Sequence, residues 1–306
     1  MLGRKKKSGL VALNPRLDRV EVARVLRNGA ALPTVELCTS FRKQGSDADA
    51  LSRLRRELNL DSYRCATVLP PAEYQLQLID APNVPEAEMK SAVRWRMKEF
   101  LDYPVEAATV DVVSVPGDPN APTRGRSVYA VSARNEAVAA RMRLFAQAKL
   151  PLEVIDIPEM AQRNLAALFE IERRGLATLS FSDERGLLTF TSGGELYLAR
   201  SIDVGLSQLL MASAEDKVQL FERVVLELQR SLDHFDRQFS YIPVAKLMVA
   251  PLPEEIGLES HLMQNLYLPV EIANLEQVLD LRSAPELANP ASQLQHWTVI
   301  GAALRD

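Results

Sequence analysis

Apolar residues at positions 10–13 and 20–26 flank the turn-like triplet Asn14-Pro15-Arg16, a pattern that predicts a strand, a turn and a second strand. Ser46 stands before Asp47 and Asp49, and Leu51, Leu54 and Leu58 follow at helical spacing, so a capped helix is expected there. Residues 65–69 and 74–79 read as strands, the second with Tyr74, Leu76 and Leu78 on one face. Pro85 opens a further helix with Glu86 and Glu88 where the helix dipole favours anions. Met89, Val93, Met97 and Phe100 form its expected buried stripe, and Pro104 ends it. A strand at 109–115, a loop containing Pro and Gly at 117–125 and a strand at 127–132 come next. A helix at 135–149, a strand at 154–157 and a helix at 158–173 close the first half, whose alternation fits a mixed α/β lobe.

The second half restarts near Gly175 as a β-meander, 177–181, 186–191 and 195–200, joined by Asp183-Glu184-Arg185 and Ser192-Gly193-Gly194. The glycine pair reads as a hairpin turn rather than a phosphate loop. A long helix at 217–239 gathers Leu220, Val224, Leu228, Ser231, Leu232 and Phe235 on one side. Strand 246–250, helix 254–266, strand 269–272 and a helix within 289–304 complete the order of a ribonuclease H-like lobe.

Composition narrows the classes. The 306 residues are 47% hydrophobic and 25% charged, as in ordinary globular proteins, and the formal net charge of -4 lacks the basic footprint of a nucleic-acid binder. Nucleic acid is therefore not an expected partner. No apolar run approaches the roughly 20 residues of a membrane span, and MLGRKKKSG has no apolar core of a secretory signal behind it, so a cytoplasmic location is expected. Arg4, Lys5, Lys6 and Lys7 read as a solvated tail able to assist attachment to an anionic membrane surface. Cys38 and Cys65 form no CxxC and read as small buried hydrophobes. His234, His261 and His296 lack partners at metal-ligand spacing and no GxSxG occurs, so neither a metal site nor a catalytic residue is assigned.

The stretch EMKSAVRWRMKEFLDYPVEAATVD, residues 88–111, resembles the most recognisable motif of the PilM family of type IV pilus assembly proteins. LPLEVIDIPEMAQRNL (150–165), VVLELQRSLDHFDRQF (224–239) and VIGAALRD (299–306) resemble further family segments in the right order. The resemblance implies an α/β, actin-like, ribonuclease H-like two-lobed fold with a small inserted α+β subdomain. Its implied division is a basic tail at 1–8, a first lobe at 9–38 and 127–174, the insert at 39–126 and a second lobe at 175–306. It also implies a scaffold peripheral to the inner membrane that binds the N-terminal tail of a PilN-like membrane protein, among other pilus platform proteins. Short length and divergent ends bring the chain nearest to members from mannose-sensitive haemagglutinin (MSHA) pilus systems. Within the motif, Trp95 lies off the apolar stripe beside Arg94 and ahead of Tyr103, so these three are the expected partner-binding residues.

Actin-like ATPases cradle phosphates in Gly- and Asp-bearing hairpins, because backbone N–H groups must approach the anion and a carboxylate must lie near Mg2+. Against the family pattern, Ala12 stands in place of the first acid, Asn14 of a glycine and Arg16 of a serine. Ser180 and Ser182 replace the acid and glycine of the second hairpin, and Ala250 and Pro251 begin the segment in place of the third Gly-rich turn. A degenerate nucleotide site without cofactor is therefore expected, the alternative being an active actin-like ATPase of pilus assembly or type II secretion.

Overall fold

The computed structural model describes residues 9–27, 29, 31–119 and 126–305. The basic tail expected at 1–8 lies outside the described residues, as does most of the predicted loop before position 126. The chain forms two compact units, Met1–Glu21 with Ser40–Pro158, and Val22–Thr39 with Glu159–Asp306.

In the first unit, β1 (Leu10–Pro15), β4 (Arg64–Val68) and β8 (Leu152–Asp156) run parallel, and β2 (Arg19–Leu26) and β3 (Thr34–Arg42), shared by both units, extend the sheet in the order β3-β2-β1-β4-β8. α1 (Asp47–Glu57) starts on the expected cap: Ser46 Oγ accepts from the Asp49 N–H at 3.2 Å, and the Asp49 carboxylate accepts from the Ser46 N–H at 3.1 Å. A second, three-stranded antiparallel sheet has the order β5-β7-β6, from β5 (Tyr74–Asp80), β6 (Ala108–Val115) and β7 (Ser127–Arg134). α2 (Glu86–Arg96) covers one of its faces, and α3 (Asn135–Gln147) follows β7 directly. Strand pairing cuts across the boundaries drawn from sequence, for β7 joins β5 and β6 while β4 joins β1 and β8.

The α2 stripe needs one correction. Val93 and Met97 are fully buried against Ile79, Val110, Val128 and Ala130, and Met89 packs at their edge, but Phe100 is 46% exposed. The helix tightens into a 3-10 turn at Met97–Glu99, so the 3.6-residue spacing that placed Phe100 inward no longer applies.

The second unit carries the sheet β11-β10-β9-β12-β13, built from β9 (Gly175–Phe181), β10 (Gly186–Ser192), β11 (Glu195–Ile202), β12 (Val244–Val249) and β13 (Val270–Ile272). The first three form the antiparallel meander, and β12 and β13 add in parallel. Two short or irregular elements went unpredicted: β3, whose buried Val35 and Cys38 are three apart, and the six-residue α5 (Leu206–Met211). α6 (Ala214–Gln238) buries Val224, Leu228, Leu232 and Phe235, and Phe235 stacks on Phe190 with centroids 4.7 Å apart. Leu220 is only half-buried, its expected place being taken by Phe221. α7 (Leu258–Asn265) lies beside α6, where Gln229 Nε2 donates to Asn265 O at 3.1 Å. Both cysteines are buried thiols, and burial, with the nearby Glu153 charge, pushes the Cys65 pKa up to about 12.

The opposite face of the meander is polar, with Thr178, Ser180, Thr189 and Thr191 all buried. They lie under α4 (Pro158–Ala166), which is shorter than its sequence pattern implied, and α8 (Pro290–Ala303). Gln162 on α4 satisfies much of that face: its Nε2 donates to Thr178 O at 2.9 Å and to Thr189 Oγ1 at 3.0 Å, while its Oε1 accepts from Ser180 Oγ and, at 3.4 Å, from Trp297 Nε1 on α8. The helices touch backbone to backbone, because Asn164 Nδ2 donates to Gly301 O at 2.9 Å and a Cβ at 301 would lie 2.2 Å from Ala161 O. Gly301→Ala should therefore destabilise the protein by about 3 kcal/mol or more, since overpacking against backbone cannot relax by a rotamer change. Thermal unfolding checks this, and an unchanged melting temperature would show that α4 and α8 do not meet as described.

Candidate functional site

α2 sorts its side chains by direction. Val93 and Met97 go into the core beneath the helix. Arg94 turns back along the surface, its Nε and Nη2 donating to Val105 O at 3.3 and 3.1 Å and its Nη2 to Glu106 O at 3.3 Å. Arg96 Nη1 does the same for Asp80 O at 2.9 Å, at the end of β5. Between these two arginines Trp95 is 64% exposed. Lys90 pairs with Asp111 on β6 at 3.0 Å, but both are solvent-exposed and such pairs contribute little.

The three residues expected to bind a partner are thus placed in different roles. Trp95 faces solvent as expected. Arg94 is exposed beside it but is tied down, because the tight turn at Val105–Ala107 leaves carbonyls that need donors and the guanidinium supplies them. Tyr103 packs against the core under α2 with the Arg134 guanidinium 4.0 Å from its ring centroid, and Arg134 also pairs with Asp102 at 3.2 Å. Burial pushes the Tyr103 pKa up. Arg134 and Arg96 were not legible as participants, since their contacts lie across 31 and 16 residues of sequence.

None of the five hairpin residues Ala12, Asn14, Arg16, Ser180 and Ser182 is an acid; the exposed carboxylates of the two turns are Asp18, paired with Arg19 at 3.1 Å, and Asp183 and Glu184. Ala12 is fully buried in β1 beside Ala66. Asn14 is buried and its Nδ2 lies 3.4 Å from Oε2 of Glu21, itself fully buried, while Arg16 and Arg19 each reach the same carboxylate at 3.1 Å. These cations are committed to neutralising a buried acid. In the second unit Ser180 is turned inward to Gln162, and Ser182 closes the β9–β10 turn, donating to Arg185 O at 2.9 Å. Ala250 and Pro251 are buried, and the Ala250 N–H donates to Leu179 O at 2.7 Å. Among the described residues no group of three or more His, Cys, Asp or Glu is arranged to hold a metal.

An open cavity of about 710 Å³ in the second unit is lined by Leu32, Thr34, Leu279, Asp280, Arg282 and Pro285 among others. Its carboxylate is spoken for: Arg282 holds Asp280 through hydrogen bonds as short as 2.6 Å, which brings the Asp280 pKa down to about 2.

The two tryptophans give a direct check on the α2 geometry, since Trp95 is 64% exposed and Trp297 only 3%. Iodide should quench one component of the emission and leave a blue-shifted one, and Trp95→Phe should remove the quenchable component. Equal quenching of both would contradict the outward placement of Trp95.

Residues 39–174 match the family described as type IV pilus assembly protein PilM. No curated protein matches the chain. Among solved structures, the PilM-PilN type IV pilus biogenesis complex matches at 20% identity and a TM-score of 0.76, over 97% of this chain and 98% of that one. A Bacteroides thetaiotaomicron protein described as having an actin-like ATPase fold and unknown function matches at 10% identity and a TM-score of 0.51, over 94% of this chain and 99% of that one. The family match is carried by residues 39–174, which are similar to PilM, and the fold shared along nearly the whole length is the actin-like one.

Proposed function

We propose that the chain is an adaptor of a type IV pilus assembly platform, which holds the cytosolic N-terminal tail of a PilN-like inner-membrane protein and carries out no chemistry of its own. The observation that carries this reading is the position of the family match: residues 39–174 contain α2 and its outward Trp95. An exposed tryptophan on a helix whose flanking arginines are tied to backbone is a rigid anchor, the kind of residue that dominates binding surfaces. The complex whose fold this chain shares is one of PilM with PilN. The adaptor would work at the cytoplasmic face of the inner membrane, and the absence of a helix long and apolar enough to cross a membrane among the described residues is compatible with that place. The MSHA-type assignment, and a contribution of Arg4–Lys7 to membrane attachment, rest on the sequence alone.

Calorimetric titration with the cytosolic tail peptide of a PilN-like protein from the same organism tests the reading. The wild type should bind, and Trp95→Ala should bind at least roughly tenfold more weakly, the loss expected when an aromatic anchor is truncated. Absence of heat with the wild type would refute the adaptor reading; equal affinity in the variant would move the site away from α2.

The hairpin side chains do not fit a magnesium-nucleotide. Ala12, Asn14, Ser180 and Ser182 offer no carboxylate for the metal, and Arg16 and Arg19 are bound to Glu21. A ligand present at a hundredfold above its Kd stabilises a folded protein by about 2.7 kcal/mol. Millimolar Mg-ATP should therefore leave the melting temperature unchanged, and phosphate release should stay at background. A clear upward shift with hydrolysis would establish an active ATPase instead.

A further inference from the structure

The formal net charge of the chain is -4, yet its cations are not spread evenly. In a crossover between parallel strands the helix runs antiparallel to the strands, so it ends at the edge where the next strand begins. α1 precedes β4 and α3 precedes β8 in this way, and the two helices pack against each other. The last turns of both therefore come to the amino-terminal edge of the first sheet. β1 starts at that edge too, since Leu10 is in register with Arg64 at the start of β4, and Arg4–Lys7 stand just before it in sequence.

Arg53, Arg55, Arg56, Arg64, Arg143 and Lys149 gather at this edge. Half of them are neutralised: Arg53 pairs with Glu57 at 2.6 Å, Arg64 with Glu153 at 2.7 Å, and Arg55 with Asp61. Those pairs use the acids of the two helix ends and of the connections that follow them. Arg56, Arg143 and Lys149 are exposed and enter no ion pair among the described residues. Met142, beside Arg143, is an apolar side chain 58% exposed. A cation at a helix C-terminus complements the dipole and needs no ligand for that. An excess of unpaired cations, on the edge next to which the sequence places a further basic run, in a chain otherwise acidic, calls for an anionic partner. Cations around an exposed apolar side chain suit lipid in particular, the charges meeting headgroup phosphates and the methionine the acyl boundary.

We propose that this edge of the first unit seats on an anionic membrane surface, with Arg56, Arg143 and Lys149 acting together with Arg4–Lys7. The inference rests on the adaptor reading, which puts the chain at the inner membrane, and deepens it by naming the face that meets the bilayer. Nucleic acid is the poorer occupant, because the acidic remainder of the chain repels an extended polyanion, whereas a bilayer plane touches one edge only. The sheet that α2 covers is inserted between the carboxyl end of β4 and the start of α3, at the opposite edge, so Trp95 stays open to a protein partner.

Co-sedimentation of the full chain with vesicles tests the proposal, with phosphatidylcholine alone compared with phosphatidylcholine containing phosphatidylglycerol. The chain should bind the anionic vesicles at low salt, leave them at about 0.5 M salt as screening shortens the interaction, and ignore the neutral ones. A cation near an anionic surface contributes roughly fivefold to binding, so Arg56→Gln, Arg143→Gln and Lys149→Gln together should weaken it by roughly a hundredfold. Removing three exposed cations from the opposite side, by Arg42→Gln, Lys90→Gln and Lys98→Gln, should leave binding nearly unchanged. No binding to anionic vesicles, equal binding to neutral ones, or equal losses in the two triple variants would overturn the proposal, as would duplex DNA held with the same dependence on Arg56, Arg143 and Lys149. Circular dichroism confirms that the variants fold. Should the first not, hydrogen exchange of the wild type on anionic vesicles decides, with new protection expected at 53–64 and 141–152 and its absence counting against the proposal. Neutral bilayers, on which partner binding is read alone, should leave those segments unprotected. The vesicles carry no protein, so their result is independent of the titration with the PilN-like tail, and failure of this proposal is distinguishable from failure of the adaptor reading.

Discussion

The close crossing of α4 and α8 sets the geometry of the second unit. Gly301 lets the two backbones meet at Ala161, and Asn164 fastens them with a hydrogen bond to the Gly301 carbonyl. That approach places Gln162 over the meander, where one amide group serves Thr178, Ser180, Thr189 and Trp297 together. Phe190, adjacent to Thr189, points to the other face and stacks on Phe235 of α6. The sheet is therefore held by polar contacts on one side and aromatic packing on the other, and the closeness of the helices makes the polar side affordable.

The same network bears on nucleotide chemistry. A serine whose hydroxyl is bound to Gln162 beneath α4 is not poised towards a ligand, and in the first unit Arg16 and Arg19 are drawn to Glu21 in the same inward sense. In both hairpins the polar side chains at Asn14, Arg16, Ser180 and Ser182 are engaged within the fold. α2 shows the converse arrangement, with Arg94 and Arg96 tied to backbone carbonyls and Trp95 left in solvent. On the adaptor reading, function would concentrate on surfaces rather than on a reaction centre.

Much of the fold was legible because local rules governed it. Ser46 and Asp49 form the capping box that their spacing announced, and the meander and the Leu228 face of α6 follow their periodicities. β3 was missed because its buried residues do not alternate, and α5 because six residues carry too little periodicity to register. Phe100 was misplaced because a 3-10 turn changes the phase of the helix. The roles of Arg94 and Tyr103 depended on where the 105–106 carbonyls and Arg134 would arrive, which spacing within the motif does not encode. Trp95 could be placed outward from the stripe it avoids.

Hydrogen exchange on the protein bound to its full-length PilN-like partner in lipid nanodiscs tests the adaptor account most directly. The account predicts new protection confined to α2 and the segment after it, residues 86–111, appearing only with nanodiscs that carry the partner. Protection spread instead over the hairpins at Ala12 and Ser180, or equal protection by empty nanodiscs, would contradict it.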